Sequence, residues 1–244
     1  MNELKLIDFV GEAWWFILLV LSTGWICELY SRQKLRNRRS KTILSERNNL
    51  NTVTNETISE MKLAQNSLGP TRRSFWVIED RLAGGAYPGK KGRHDDRDNP
   101  KAVQDLLATG IDVFINLTQD FPGGTDEHLN HYDLGAEGKA VIERHPIVDV
   151  SIPTFDTMSK IIDSINSHLF EGKNVYVHCW GGTGRTGTVL GCWLIDQKLA
   201  TGETVLNTLY ELRRGDLDGG HKDIPQTIEQ AEFIFDWEIL HQNE

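Results

Sequence analysis

The 244-residue sequence predicts an α/β domain with a central, mostly parallel sheet flanked by helices, preceded by an N-terminal transmembrane helix. From Phe75 onward, short apolar runs typical of buried strands alternate with segments whose apolar residues recur at helical spacing. Near the start, residues 13–27 form the most apolar stretch of the chain. These patterns divide the chain into a membrane helix at 9–30, a polar and basic linker at 31–73 and a folded domain at 74–241.

The apolar stretch AWWFILLVLSTGWIC is uncharged and lies between Glu12 and Glu28. A bilayer needs about 20 apolar residues, so we expect residues 9–30 to span it with the two glutamates at the interfaces. Tryptophans near both ends of the stretch suit the headgroup level. The alternative is a helix that is buried against the domain or lies on the membrane surface.

The residues after the apolar stretch are strongly basic. Six Lys and Arg side chains fall within residues 32–41. The positive-inside rule therefore predicts a single-pass membrane protein whose folded domain faces the cytoplasm; the alternative is a soluble cytoplasmic protein. The rest of the linker, to residue 73, is rich in Asn, Ser, Thr and charged residues, which favours a tether.

Within the folded domain, each predicted element follows from its apolar period and its flanking turn residues. In chain order they are a strand at Phe75–Ile78, a turn at Gly84–Pro88, a helix at Pro100–Ala108, a strand at Ile111–Leu117, a helix at Ser159–Phe170, a strand at Asn174–His178, and helices at Thr186–Leu199, Thr204–Arg213 and Thr227–Leu240.

Charge and cysteine content exclude several function classes. A formal net charge of -9 disfavours a nucleic-acid partner, because such proteins need a basic surface. Cys27, Cys179 and Cys192 are too few and too scattered for a disulfide framework or a four-ligand zinc site. The sequence therefore implies no metal and no cofactor, and it favours a working thiol.

The segment NVYVHCWGGTGRTGTVLGCWL, residues 174–194, reads as a strand, a glycine-rich loop and a helix. Its glycines allow successive backbone N–H groups to converge on an anion at the start of the helix. Five residues separate Cys179 from Arg185, which brings a thiol and a guanidinium to the same anion. The helix end and the arginine both favour the nucleophilic thiolate, and Arg185 can bind two phosphate oxygens in parallel.

The run HCWGGTGRTG resembles the catalytic loop of the dual-specificity branch of the protein tyrosine phosphatase superfamily. It particularly resembles small bacterial members and cyclin-dependent-kinase-associated phosphatases, and the resemblance covers residues 75–237. It implies a cysteine-dependent phosphatase fold, with 74–241 as catalytic domain, and hydrolysis of a phosphorylated protein through a phosphocysteine intermediate. By this resemblance His178 orients the loop and tunes the thiolate, and Thr186 hydrogen-bonds the departing sulfur in the second step. The phosphate-binding residues would be Trp180, Gly181, Gly182, Thr183, Gly184 and Arg185.

The family also uses an aspartate, about thirty residues before the cysteine, to protonate the leaving oxygen. Asp149 has the expected Asp-x-x-x-Pro form with Pro153 and is the predicted general acid and base. Asp156, on the same loop, is the competitor. Family members often place proline before this aspartate, whereas Val148 stands there in this chain.

Near the end of the chain, residues 225–230 resemble the Gln-Thr-x-x-Gln segment that positions the hydrolytic water in tyrosine-specific relatives. Gln226 and Gln230 are therefore candidate water-positioning residues. The same letters also suit a capping box, with Thr227 at the N-cap and Gln230 three residues later.

The resulting function is a protein phosphatase that hydrolyses phosphotyrosine, and phosphoserine and phosphothreonine as well. One alternative is a phosphoinositide phosphatase of the same superfamily, although Trp180–Gly184 carries no lysine. Another is a catalytically silent module that binds phosphoproteins. The glycines at 182, 184 and 187 also match a dinucleotide fingerprint, but that pattern leaves the Cys179 to Arg185 spacing unexplained.

Overall fold

The computed structural model describes residues 61–90 and 98–241. Five strands of this part of the chain form one sheet. They are β1 (Ser74–Ile78), β2 (Leu82–Ala86), β3 (Val113–Asn116), β4 (Val141–Arg144) and β5 (Val175–Cys179). The spatial order is β1-β2-β5-β3-β4, with β1 antiparallel to β2 and every other neighbouring pair parallel. The predicted α/β class with a mostly parallel sheet is therefore confirmed.

Helices cover both faces of the sheet. They are α1 (Lys101–Ala108), α2 (Asp133–Ala136), α3 (Phe155–Phe170), α4 (Gly184–Asp196), α5 (Val205–Arg213) and α6 (Ile228–His241). Alternate strand residues point to opposite faces. Val175 and Val177 of β5 pack with α3 to α6, whereas Tyr176 packs with α1 and with the segment around α2. Because both faces are covered, β5 is buried along its whole length.

The predicted turn at Gly84–Pro88 is wrong, since Leu82–Ala86 forms the buried strand β2. A Cβ on Gly84 would meet Leu190 and Phe75, and one on Gly85 would meet Tyr176 and the backbone of Arg73. The glycines are therefore needed for close packing inside a strand and do not form a turn.

Besides β2, two elements were not predicted, and two helices, α3 and α4, begin earlier than expected. The strand β4 and the short helix α2 both lie between residues 133 and 144. Helix α3 starts at Phe155, four residues before Ser159, because the Thr154 hydroxyl accepts a hydrogen bond from the Thr157 amide (3.2 Å) and caps it.

The predicted membrane helix at 9–30 and the linker up to residue 60 lie outside the described residues. The end of the predicted linker, residues 61–73, is attached to the domain: the Ala64 amide donates to Val77 O (2.9 Å) and the Gly69 amide donates to Gly215 O (3.0 Å). Among the helices that the structure describes, none has the length and apolar character to cross a membrane.

Candidate active site

The glycine-rich loop leaves the sheet at its centre. Strand β5 lies between β2 and β3 and ends at Cys179, and helix α4 begins five residues later at Gly184. Cys179 is a free thiol and only 3% of its surface is exposed. The loop therefore presents a sheltered sulfur at the carboxyl edge of the sheet, next to a helix amino terminus.

Two contacts hold the loop in this shape. Gly182 has φ +71°, and a Cβ there would collide with the backbone of Gly85 in β2, so only glycine fits. The buried guanidinium of Arg213, at the end of α5, donates a hydrogen bond to the Gly182 carbonyl and pairs with Asp216 (3.3 Å). Gly182 thus packs against β2 and does not line the pocket, unlike its neighbours in the loop.

Arg185 is almost fully buried, and two carboxylates and a carbonyl hold it. Its Nη1 and Nη2 donate to Asp126 at 2.6 and 3.0 Å, and Nη1 also donates to Ile147 O (3.0 Å). Nη2 forms an ion pair with Asp149 (2.6 Å). The Nε atom is buried and has no hydrogen-bond partner among the described residues, so its N–H is available to an incoming phosphate oxygen.

The opposite charges of Asp126 and Arg185 stabilise each other. Burial alone would raise the pKa of Asp126, but hydrogen bonds from Arg185 and from the Gln119 amide outweigh burial and hold this pKa below its usual range. Burial alone would lower the pKa of Arg185, but Asp126 and the charges of Cys179 and Asp149 raise it. Both groups are therefore ionised at neutral pH, and the pocket keeps a permanent cation beside Cys179.

The candidate acid lies in the same pocket. Asp149 stands on the loop between β4 and α3, with about a third of its side chain exposed, and it lines the cavity together with Cys179 and Arg185. The Asp149 amide donates to the Thr125 hydroxyl (3.1 Å). Asp156 instead lies in the first turn of α3 and does not line this cavity.

His178 sits behind the nucleophile in an aromatic cage. It is fully buried, and its Nε2 lies 2.6 Å from the Tyr132 hydroxyl. The rings of Tyr87, Tyr132 and Tyr176 surround it. Burial lowers the pKa of His178 to about 3, so the imidazole is neutral at physiological pH. This arrangement fixes the orientation of His178, which directly precedes Cys179, but it adds no positive charge beside the thiol.

Thr186, at the third position of α4, is also fully buried. Its hydroxyl has no hydrogen-bond partner within the described part of the chain, and Thr186 does not line the pocket. The suggested hydrogen bond to the sulfur stays a prediction.

The two candidate glutamines differ in position. Gln226 lines the pocket, whereas Gln230 is buried in the first turn of α6. The amides of Gln226 and Thr227 each donate to Gln230 Oε1 (3.2 Å), and the Gln230 amide donates to the Thr227 hydroxyl (3.2 Å). Gln230 Nε2 donates to Ser151 O (3.1 Å), two residues after Asp149. Gln230 therefore forms the capping box and also links α6 to the loop between β4 and α3 that carries Asp149, the acid loop.

The pocket above Cys179 has a volume of about 440 Å³. From the loop it is lined by Trp180, Gly181, Thr183, Gly184 and Arg185. Trp180 is 44% exposed and stands at the entrance. The arrangement offers a sulfur nucleophile, a fixed cation and a carboxyl group around one anion-sized position.

Sequence reasoning missed several of the residues that build this site. Asp126 lies in a polar loop with no recognisable motif, and Arg213 lies in an ordinary amphipathic helix. The only available signal for Asp126 was indirect, because a buried Arg185 requires a carboxylate partner. Three further cations line the pocket from other segments: Arg73, Lys90 and Lys222.

Parts of the chain are similar to known proteins. A family model described as "Polymorphic toxin system, DSP-PTPase phosphatase" matches residues 92–198. Two uncharacterized proteins of Methanocaldococcus jannaschii are 52% identical over 48 residues, 20% of this chain. That match spans only 33% and 30% of the archaeal proteins.

A longer match is to human cyclin-dependent kinase inhibitor 3, which is 27% identical over 156 residues, 62% of this chain and 69% of that protein. Among solved structures, kinase-associated phosphatase, determined with its catalytic-site cysteine replaced by serine, is similar with a TM-score of 0.55. It is 21% identical, and the match covers 76% of this chain and 99% of that chain. This last likeness shows the fold.

Proposed function

Because this chain belongs to the dual-specificity branch of the protein tyrosine phosphatase superfamily, we propose that it is a cysteine-dependent protein phosphatase. Its substrates would be proteins that carry phosphotyrosine, phosphoserine or phosphothreonine. One observation carries the proposal: Cys179, Arg185 and Asp149 line a single pocket, with Arg185 fixed by a buried carboxylate. A catalytically silent binding module would not need all three.

In the first step the Cys179 thiolate attacks phosphorus. The new S–P bond forms as the bond from phosphorus to the side-chain oxygen breaks, and Asp149 gives its proton to that leaving oxygen. Arg185 and the loop amides stabilise the charge on the equatorial oxygens. The entering phosphate competes with Asp149 for Nη2 of Arg185, which separates the acid from its partner as substrate binds.

In the second step Asp149, now a carboxylate, takes a proton from a water molecule. The water oxygen attacks phosphorus, the S–P bond breaks, and inorganic phosphate and the thiolate are released. Gln226 lines the pocket and has an amide that could hold this water, which supports the proposed positioning role for Gln226. Gln230 is buried and would act through the acid loop.

The test is a trapped intermediate. Rapid quench of the full-length chain with a ³²P-labelled phosphopeptide should leave phosphate on Cys179, and Cys179→Ser should bind the peptide without turnover. Cys192→Ala is the matched control, because burial raises the pKa of the Cys192 thiol and keeps it protonated. Turnover by Cys179→Ser, or loss of the intermediate in Cys192→Ala, would contradict the proposal.

We also propose that residues 9–30 attach the catalytic domain to a membrane, with the domain on the cytoplasmic side. Support for this comes from the apolar stretch and from the basic residues that follow it. Carbonate washing of membranes from cells that express the full chain should leave it in the pellet. Deletion of residues 1–31 should move it to the supernatant, and full recovery of the intact chain in the supernatant would refute the attachment.

A further inference from the structure

Three cationic side chains that line the pocket have no part in the proposed chemistry. We call Arg73, Lys90 and Lys222 the cationic rim. They come from separate segments: Arg73 immediately precedes β1, Lys90 follows β2, and Lys222 lies between α5 and α6. The fold therefore brings together at one opening three like charges that are far apart in the chain.

The rim side chains are not paired with any carboxylate that the structure describes. Within residues 61–90 and 98–241, no Asp or Glu forms an ion pair with any of the three side chains. Lys90 Nζ instead lies 4.5 Å from the centroid of the Trp180 ring. Asp223 also lines the pocket, and Asp149 is already paired with Arg185. Of the described residues that line the pocket, three cations and one carboxylate, Asp223, thus lie outside that pair.

The rim charges are close enough to affect one another. Burial lowers the pKa of Lys90 to about 8; repulsion from Arg73 and from Lys222 contributes in the same direction, and the charge of Cys179 partly opposes them. An anion bound among the three would relieve this repulsion. The whole chain carries a formal net charge of -9, so the rim is a local exception to the charge of the protein.

We propose that Arg73, Lys90 and Lys222 form a second anion subsite, which binds a carboxylate or phosphate beside the scissile phosphate of the same protein substrate. The inference deepens the proposed phosphatase function and rests on it. A cavity of about 440 Å³ is larger than one phosphate group requires, so it can accept a neighbouring acidic side chain as well.

The charge distribution favours a peptide over a lipid surface. An anionic membrane surface is extended, so it is repelled by the net negative charge of the chain and by Asp223 in the pocket. A short phosphorylated segment is affected mainly by the pocket, since salt screens charges beyond about 8–10 Å. The preferred substrate is therefore a phosphorylated site flanked by Glu, Asp or a second phosphorylated residue.

The experiment compares two phosphotyrosine peptides that differ only in flanking residues, Glu in one and Gln in the other. For the wild-type full-length chain we expect kcat/KM for the Glu peptide to exceed that for the Gln peptide about tenfold at low salt. In Lys90→Gln/Lys222→Gln this ratio should fall to about two. The matched control is Lys160→Gln, an exposed lysine on α3 that does not line the pocket.

A second readout is pH. The preference should decline as the pH rises through about 8, because Lys90 then loses its charge. A ratio near one in the wild type, or a ratio unchanged in the double variant, would overturn the subsite while leaving the phosphatase function intact. Failure to turn over either peptide would overturn the function itself. A larger effect of the double variant on phosphoinositide vesicles than on the peptides would overturn the peptide assignment.

Discussion

Asp126 binds the guanidinium of Arg185 through two hydrogen bonds, at 2.6 and 3.0 Å, and neither side chain is more than 1% exposed. The phosphate-binding arginine is thus held by a carboxylate from a different loop. The geometry needs no substrate to form. Several consequences can be measured.

Asp126→Asn should weaken both folding and catalysis, because it leaves the charge of Arg185 in a buried position with less compensation. We expect the free energy of unfolding to fall by about 3 kcal/mol and kcat/KM to fall about 100-fold. Denaturant unfolding and steady-state kinetics measure the two effects. Asp133→Asn is the control: its pair with Arg144 is partly exposed, so its loss should cost less than about 1 kcal/mol. Equal effects of both substitutions would contradict the buried-anchor role.

Asp149→Asn should lower kcat on an alkyl phosphate by about 10²- to 10⁴-fold, because no proton reaches the leaving oxygen. The loss should be smaller on p-nitrophenyl phosphate, whose leaving group is stable as an anion. Asp156→Asn, on the same segment but outside the pocket, should keep wild-type rates. If Asp149→Asn keeps full kcat on the alkyl substrate, the acid has been misassigned.

Comparing Gly182→Ala with Gly172→Ala distinguishes the effect of backbone strain from the effect of a steric clash between the glycine-rich loop and β2. Both glycines have positive φ, +71° and +82°, so backbone strain alone should cost each substitution about 1 kcal/mol of stability, and the collision at Gly182 should add to that cost. Only at Gly182 would the new methyl meet backbone, that of Gly85 in β2; near Gly172 no described residue lies within 4 Å of a Cβ. We therefore expect vanadate affinity to fall more than tenfold in Gly182→Ala and to stay unchanged in Gly172→Ala. Calorimetric titration with orthovanadate provides the measurement.

The neutral state of His178 predicts how stability depends on pH. Its pKa is about 3 in the folded protein and near 6.5 in the unfolded chain, so between these values the unfolded chain binds the additional proton. The contribution of His178 to stability is therefore complete above pH 6.5 and is lost as the pH falls toward 3, by an amount on the order of a few kcal/mol. Urea unfolding at pH 7.5 and pH 5 should show the loss in the wild type.

The fall in the free energy of unfolding between pH 7.5 and pH 5 should be smaller in His178→Asn. It should be unchanged in His221→Gln, since His221 is exposed. An unchanged slope in His178→Asn would assign the acid sensitivity to other groups.

The sequence predicts the centre of this domain better than its edges. The strand, loop and helix around Cys179 were identified within two residues at their junction because an apolar run, four glycines and the Cys179 to Arg185 spacing all point to the same structure. Strand β4 was missed because it is an edge strand whose residues, Val141–Arg144, are partly or fully exposed and do not alternate in polarity. Asp126 and the cationic rim were missed because only the folded chain brings them to Arg185 and Cys179, and no local pattern marks a contact between distant loops.

The hydrogen bond from Gln230 to Ser151 links the carboxy-terminal helix to the loop that carries the proton donor. Rotation or withdrawal of α6 would pull on Ser151 and change the position of Asp149, although α6 itself begins outside the pocket. A partner that displaced the distant end of that helix would thus act on the protonation step without contacting the substrate.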